Sequence, residues 1–419
     1  MRILIATWSS RLVGGTETYL GRIMPLLAAA GHEIAFVYEL DEPANRPRVP
    51  LPEGATSCPL VSGGPDESLR AIVDWRPDVI FVHGLLDPTI EERLQQIAPA
   101  VFFGHTYYGT CISGDKTCKF PVVQPCDRLF GPACLALYFP RRCGGLSAVT
   151  MVREYAKQRR RFSLLGRYAA VVTGSEHMCR EFLRHGAARG RVFNCSFPLE
   201  AANRPNDGVA ARASPSPGAP WRLAFLGRMD RLKGGTHLLE ALPRVRNSID
   251  RPIHLSLGGD GPDRPAWERH ARDVMRRAPD VHVEFAGWLH QAQLTSLLDL
   301  SDLVVMPSLW PEPYGLVGSE AHRRGVPVVA YATGGIPEWL VEGVNGCLAP
   351  GDPPTVDGLA QAIVRCLGQL SSGDALRKGA LATSDSRSDR AHVSALLEVL
   401  REAAGQPLPA SGRAADVEV

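Results

Sequence analysis

Apolar runs alternate with helical stripes along most of the chain. Arg2 to Ala6 is a short apolar segment. Thr16 to Ala30 follows with Leu20, Ile23, Met24 and Leu27 on one side of a 3.6-residue repeat, and Gly31 ends it. Glu33 to Tyr38, Val79 to Val82, Ala100 to Phe103 and Ala169 to Val172 are further buried-strand candidates, the last followed by Ser175 as a helix N-cap. Between Ala201 and Pro220 the periodicity disappears into a stretch rich in Pro, Ala and Ser, which reads as an interdomain linker. The alternation then restarts: Arg222 to Phe225, His254 to Leu257, His282 to Phe285, Leu303 to Met306 and Val326 to Ala330 are strands with helices between them.

Strands alternating with helices imply parallel sheets covered on both faces. The expected architecture is α/β: two doubly wound, Rossmann-like domains facing a central cleft. The expected boundaries are 1–200, with a cysteine-rich insertion at about 106–145, a linker at 201–220, and a second domain at 221–405 whose last helix packs back on the first. Residues 406–419 are expected to form a disordered tail. Ligands in such sheets bind beyond the carboxyl ends of the strands.

Composition narrows the function. The 419 residues are 45% hydrophobic and 21% charged, with a net charge of +2, so nothing draws the chain to nucleic acid. No apolar run reaches the roughly 18–20 residues that a membrane helix needs. The first residues lack the apolar core and cleavage site of a signal peptide, so a cytoplasmic protein is expected. Ten cysteines occur without a C-x-x-C pair.

Two turns carry candidate chemistry. Phe225-Leu226-Gly227-Arg228 ends a strand, and Arg231-Leu232-Lys233-Gly234-Gly235 leads into a helix. Arg228 and Lys233 flank that turn, where two cations could neutralise a diphosphate, or stand as solvated surface charges. After Leu303–Met306, Glu312 and Glu320 lie on either side of a glycine-containing bend. A helix starting near Gly315 would aim backbone N–H groups at an anion above the sheet. The carboxylates are acceptors only and suit a hydroxyl-rich ligand, or they complement the helix dipole. Phosphate between hydroxylated rings is the layout of a nucleotide sugar.

In Gly227-Arg228-Met229-Asp230-Arg231-Leu232-Lys233-Gly234 and in Glu312, seven residues, Glu320, the chain resembles retaining glycosyltransferases of the GT-B fold, family four (glycosyl transferases group 1). Gly258-Gly259-Asp260-Gly261-Pro262, Phe285-Ala286-Gly287-Trp288-Leu289 and Gly334-Gly335-Ile336-Pro337-Glu338, with Gly343-Val344-Asn345-Gly346 downstream, extend the likeness in order over most of the second domain. The resemblance implies that Arg228 and Lys233 bind a donor diphosphate. Glu320 would hold ribose hydroxyls, and Glu312 the donor sugar near the reacting face. Backbone around Gly315, Leu316 and Val317 would cradle sugar and phosphate, and backbone around Trp288 and Leu289 would meet the base.

The first domain is less specific. Gly14-Gly15-Thr16-Glu17 joins the first strand to the first helix, and Gly15 is a candidate for close approach to a phosphate. The turn is not the G-x-G-x-x-G of a nicotinamide enzyme. His105, in Phe103-Gly104-His105-Thr106, resembles the family's active-site histidine, although Thr106 stands where the family often has Asp; His83, at another strand end, is its rival. No Asp-x-Asp triplet occurs anywhere in the sequence, so no metal or other cofactor is expected, with Arg228 and Lys233 supplying the charge.

Two segments stay open. Cys111, Cys118, Cys126, Cys134 and Cys143 form a structural loop of thiols, a metal site or disulfides; with the nearby aromatics they are also candidates for a lid over the acceptor. Arg153, Lys157, Arg159, Arg160 and Arg161 read as a solvated helix face, with an anionic acceptor or peripheral contact at the inner membrane face as the alternative. The expected partners are thus a nucleotide-sugar donor and a glycan, lipid-linked or small-molecule acceptor. The expected activity is metal-independent transfer of a sugar with retention. A nucleotide-sugar epimerase and a non-catalytic nucleotide-sugar-binding module are the alternatives.

Overall fold

A computed structural model of the chain describes residues 1–42, 44–60, 65–197, 218–385 and 389–406. Most of the expected linker and all but the first residue of the expected tail lie outside the described residues. The chain divides into two compact units. Unit one comprises Met1–Asp115, Arg128–Pro198 and Asp389–Val419; unit two comprises Lys116–Asp127 and Leu199–Ser388.

Unit one is built on a seven-stranded parallel sheet. Its strands lie in the order Thr56–Pro59, Glu33–Leu40, Arg2–Ser9, Val79–Val82, Ala100–Phe103, Ala170–Thr173, Val192–Asn194. The central strands are apolar at nearly every position because helices cover both faces; Val79, Ile80, Phe81 and Val82 are wholly buried. The helix Gly15–Ala29 buries Leu20, Ile23, Met24 and Leu27, and Gly31 leaves it with φ of 84°, a left-handed value that favours glycine. Ser175 caps the helix Glu176–Arg184 by accepting from the Met178 amide. The last described helix, Asp389–Ala403, packs on Gly15–Ala29 within this unit. Arg22 pairs there with Asp389, and His392 donates from Nδ1 to the Ser196 carbonyl, which leaves Nε2 to accept from the Tyr19 hydroxyl at 2.9 Å.

Unit two holds a six-stranded parallel sheet in the order Val281–Gly287, Ile253–Gly258, Trp221–Leu226, Leu303–Met306, Val328–Tyr331, Gly346–Ala349. Leu223, Leu255, Val305, Leu238, Leu242, Trp267 and Ile363 belong to its core. The chain runs outward from Trp221–Leu226 in one direction and then returns to Leu303–Met306 on its other side, so the strand order reverses between these two. That reversal opens a crevice beyond their carboxyl ends. The loops that emerge there are Gly227–Gly234 and Pro307–Gly315.

Two stretches group differently from the expected boundaries: the last helix, placed in the second domain by the sequence reading, counts with unit one, and the cysteine-rich segment is divided between the units. Thr117–Cys118 and Gln124–Pro125 pair as a short antiparallel ribbon, and Lys116–Asp127 groups with unit two rather than with the rest of the cysteine-rich segment. Val123 packs against the second core, and the Arg231 guanidinium donates to the Lys119 carbonyl at 3.4 Å.

Candidate functional site

The loop after Trp221–Leu226 is shaped by close backbone packing. The Gly227 amide donates to the Gly258 carbonyl at 3.0 Å, and the Met229 amide to the Asp260 carbonyl at 2.9 Å. A side chain at Gly259 would put Cβ 2.0 Å from the Gly227 carbonyl oxygen, and Gly259 has φ of 128°. The two glycine-rich motifs are therefore one surface, made of backbone from adjacent strands. Asp230 accepts from the amides of Leu232 and Lys233 and fixes the single turn Arg231–Lys233. Gly234 closes it in a left-handed conformation, where a Cβ would lie 1.7 Å from the Pro307 carbonyl oxygen.

This turn brings Lys233 to the second loop. Its Nζ lies 2.6 Å from Glu312 Oε1 and 5.2 Å from the centre of the Trp310 ring. Ser308 donates to the same carboxylate oxygen at 2.6 Å. Glu312 keeps only 7% of its side chain exposed and Lys233 27%. The Glu312 backbone is fixed as well: its carbonyl accepts from the Gly335 amide at 2.8 Å, and a Cβ at Gly334 would lie 2.2 Å from that oxygen. Arg228 differs. Its side chain is 68% exposed, and Nε stands 3.9 Å from Asp230. One cation is thus held against a buried carboxylate, and the other reaches into solvent from the same turn.

Gly315, with φ of 94°, precedes the helix Leu316–Arg323. Leu316 and Val317 are its first residues, half-buried like Gly315, and Glu320 follows one turn later on the same short helix, also half-buried. The helix sits close to Trp339, since a Cβ at Gly318 would lie 1.9 Å from that ring. Trp339 in turn donates to the Tyr314 carbonyl at 2.6 Å. Leu289 packs beside Gly258 at the mouth of the neighbouring strand, and Trp288 next to it is 41% exposed. The sequence-derived set Arg228, Lys233, Trp288, Leu289, Glu312, Gly315, Leu316, Val317 and Glu320 therefore lies on loops and a helix start at the carboxyl ends of one sheet. Ser308 and Trp310 belong with them, although no motif marked them.

In unit one the two rival histidines are partners. His83 Nδ1 and His105 Nε2 are 2.8 Å apart, so one ring donates to the other. His105 stacks on Phe103 at 4.2 Å between centres, and His83 packs on Phe81 at the same separation. Burial pushes the His105 imidazole down to about 3, and burial, with the neighbouring His105, holds His83 well below its ordinary value. Both rings are neutral near pH 7, which suits hydrogen bonding rather than proton donation. At the first helix, Gly15 is exposed, but the mouth already holds a carboxylate: Glu17 accepts from the Gly14 amide at 2.8 Å. Burial raises the Glu17 carboxyl above its ordinary range, against that hydrogen bond, which lowers it.

The basic run does not all face water. Arg161 is buried, donates to the carbonyls of Leu85 and Leu86, and pairs with buried Glu91 at 3.4 Å; Arg160 pairs with Glu92 at 2.6 Å. Arg161 alone of the run is buried; Arg153, Arg159 and Arg160 are exposed and Lys157 is half-buried, as the solvated reading expects. Among the described residues no cysteine joins a group of three metal-capable side chains, and no helix is long and apolar enough to cross a membrane.

Comparison with known proteins adds the context. A family model for glycosyl transferases group 1 matches residues 220–369, and one for glycosyltransferase family 4 matches residues 13–195. The glycogen synthase of Mycobacterium tuberculosis is 34% identical over 398 residues, covering 87% of this chain and 85% of that protein. The D-inositol 3-phosphate glycosyltransferase of Corynebacterium urealyticum is 36% identical over 172 residues, covering 39% of this chain and 38% of that one. The chain spans only 30–38% of the first such relatives it matches. Among solved structures, Anabaena Alr3699/HepE in complex with UDP superposes with a TM-score of 0.66 at 18% identity over 96% of this chain and all of that one. WaaG, a glycosyltransferase involved in lipopolysaccharide biosynthesis, superposes with a TM-score of 0.64 at 16% identity over 95% of this chain and 99% of that one. These likenesses establish the fold as GT-B.

Proposed function

Because the chain belongs to the group 1 glycosyltransferases of family four, we propose that it moves a sugar from a nucleoside diphosphate sugar to a carbohydrate, lipid-linked or small-molecule acceptor with retention of anomeric configuration. The observation that carries this reading is the Arg228, Lys233 and Glu312 arrangement: two cations on one turn, one of them locked to a buried carboxylate by the second loop of the same crevice. Neighbouring solved proteins bind UDP and UDP-glucose, which supports a donor of that chemical class.

In the proposed reaction the bond between the sugar C1 and the β-phosphate oxygen breaks. The acceptor oxygen bonds to C1 from the face the phosphate leaves, and its proton passes to a leaving-phosphate oxygen. Arg228 and Lys233 stabilise the charge that grows on that diphosphate, so the step needs no metal. Glu312 orients Lys233 and accepts from sugar hydroxyls, and Glu320 accepts from ribose hydroxyls. Backbone of Gly315, Leu316 and Val317 contributes N–H groups to the anion. His105 is a neutral hydrogen-bonding group rather than the acid of the reaction.

Calorimetric titration with UDP, GDP and ADP tests the donor assignment without knowledge of the acceptor. One of the three should bind, and Arg228→Ala and Lys233→Ala should each weaken it at least about tenfold, since a charge-assisted contact is worth roughly 1.5–3 kcal/mol. Equal binding in both variants would remove the assignment.

Exposed apolar residues of unit one support a second proposal. Leu146 and Val149 are 82% and 78% exposed, and Val152 is also exposed, beside Arg153 at the start of the helix Ala148–Leu165. We propose that these apolar side chains and cations meet an anionic lipid surface at the membrane periphery. Flotation with vesicles containing phosphatidylglycerol should carry the protein upward, and Val149→Glu with Val152→Glu should leave it at the bottom. Equal flotation of the double variant would contradict this.

A further inference from the structure

The strands Ile253–Gly258 and Val281–Gly287 lie side by side at one edge of the second sheet, and their register sets His254 opposite His282 and Ser256 opposite Glu284. Alternation turns Leu255, Leu257 and Val283 into the core, so His254, His282 and Glu284 share the other face. One ligand atom from each of the three lies within 4.8 Å of the others. The two imidazoles stand 4.8 Å apart at 82°, and His254 Nε2 is 3.4 Å from Glu284 Oε1. Donors around a tetrahedral zinc, at about 2.0–2.1 Å from the metal, stand roughly 3.3 Å apart, which the His254–Glu284 pair already matches.

Two observations make this more than a polar patch. His254 Nε2 is shielded from solvent and makes no hydrogen bond of good geometry; its polar neighbour is Glu284 Oε1 at 3.4 Å, an acceptor-lined spacing that a cation between the two would satisfy. The Glu284 carboxylate is held in place: Ser256 Oγ donates at 2.5 Å to Oε1, the same oxygen that faces His254, as outer partners of metal-bound carboxylates do. His282 and Glu284 are exposed, which leaves a path for an ion to enter. The histidines sit near the amino ends of their strands, whereas Gly227–Gly234 and Pro307–Gly315 emerge from carboxyl ends, so the cluster is separate from the donor crevice.

We propose that His254, His282 and Glu284 bind a divalent transition metal, with zinc as the best match. Two imidazoles and one carboxylate suit zinc over magnesium or calcium, which prefer all-oxygen sites. Water completes the coordination. The ion clips the edge strand Val281–Gly287 to its neighbour and takes no part in sugar transfer.

The test uses the full chain stripped with chelator and dialysed. Zinc chloride titrated calorimetrically should bind at one equivalent with micromolar affinity, and excess magnesium should not compete. His282→Ala and Glu284→Gln should each weaken binding at least tenfold, and Ser256→Ala should weaken it less. Far-ultraviolet circular dichroism of these variants should match the parent, because His282 and Glu284 are exposed. X-ray absorption of the zinc-loaded protein should show only nitrogen and oxygen neighbours with imidazole scattering. Sulfur in the first shell would move the zinc to cysteines and overturn the assignment. So would unchanged affinity in both His282→Ala and Glu284→Gln, or no binding at 100 µM zinc.

Discussion

Replacing Lys233 by Ala should expose how tightly the two loops of the second sheet depend on each other. The substitution strips Glu312 of its ammonium partner and leaves Ser308 as its hydrogen-bond donor within the loop. Removing one partner of a buried pair costs about 3–5 kcal/mol. Lys233 is 27% exposed, so water can reach part of the vacated space, and solvent screening reduces the loss to about 1–2 kcal/mol. For a unit of this size the midpoint of thermal unfolding should fall by roughly 3–6 °C. Glu312→Gln keeps an acceptor for both partners and removes the stranded charge, so Lys233→Ala should cost less in that background. A double-mutant cycle followed by denaturant unfolding should therefore show a coupling of about 1 kcal/mol. Costs that add within about 0.3–0.5 kcal/mol would mean that the contact does not join the loops energetically.

Three other outcomes follow from the same structure. Buried His392 is held down to about 4 by burial, and its unfolded value is about 6.5. The depressed folded value means that this stability is complete above pH 6.5 and is lost as pH falls toward 4, by about 2 kcal/mol at pH 5; a denaturation midpoint that stays level from pH 7.5 to 5 would refute it. Gly318→Ala forces a methyl against Trp339 and should cost about 1–3 kcal/mol in a melting experiment, whereas no loss would show that the helix Leu316–Arg323 can move away. Transfer activity should survive EDTA, because Arg228 and Lys233 supply the charge; loss restored by magnesium would contradict that, and the zinc cluster makes no difference to this result.

The central strands were readable because strands buried on both faces leave continuous apolar runs, as in Val79–Val82 and Leu303–Met306. Thr56–Pro59 and Val192–Asn194 were not read, because short edge strands with half-exposed side chains lack that signal. Motif spacing located Arg228, Lys233, Glu312 and Glu320, but it treated each as facing a ligand. The Lys233–Glu312 pair spans 79 positions and exists only because two strands meet at the reversal of strand order. His83 and His105 were weighed as rivals for the same reason. Each follows one of two adjacent parallel strands, so the fold places them together. The grouping of Lys116–Asp127 with unit two depends on Val123 and Arg231, contacts with no local signature. The His254 cluster was hidden likewise: His282 and Glu284 look like ordinary outward positions of a strand until His254 is set beside them.

The proposed activity is sugar transfer from a nucleoside diphosphate sugar. Proton nuclear magnetic resonance of the protein incubated with UDP-, GDP- and ADP-sugars, with and without a panel of sugar and inositol phosphate acceptors, tests it most directly. One donor should be consumed, its nucleoside diphosphate should appear in equal amount, and the new anomeric proton should have the coupling of the donor's configuration. In Lys233→Ala this turnover should fall at least about tenfold. Inversion at the anomeric carbon, conversion of the donor to an epimer without release of the diphosphate, or no consumption of any donor that binds would contradict it.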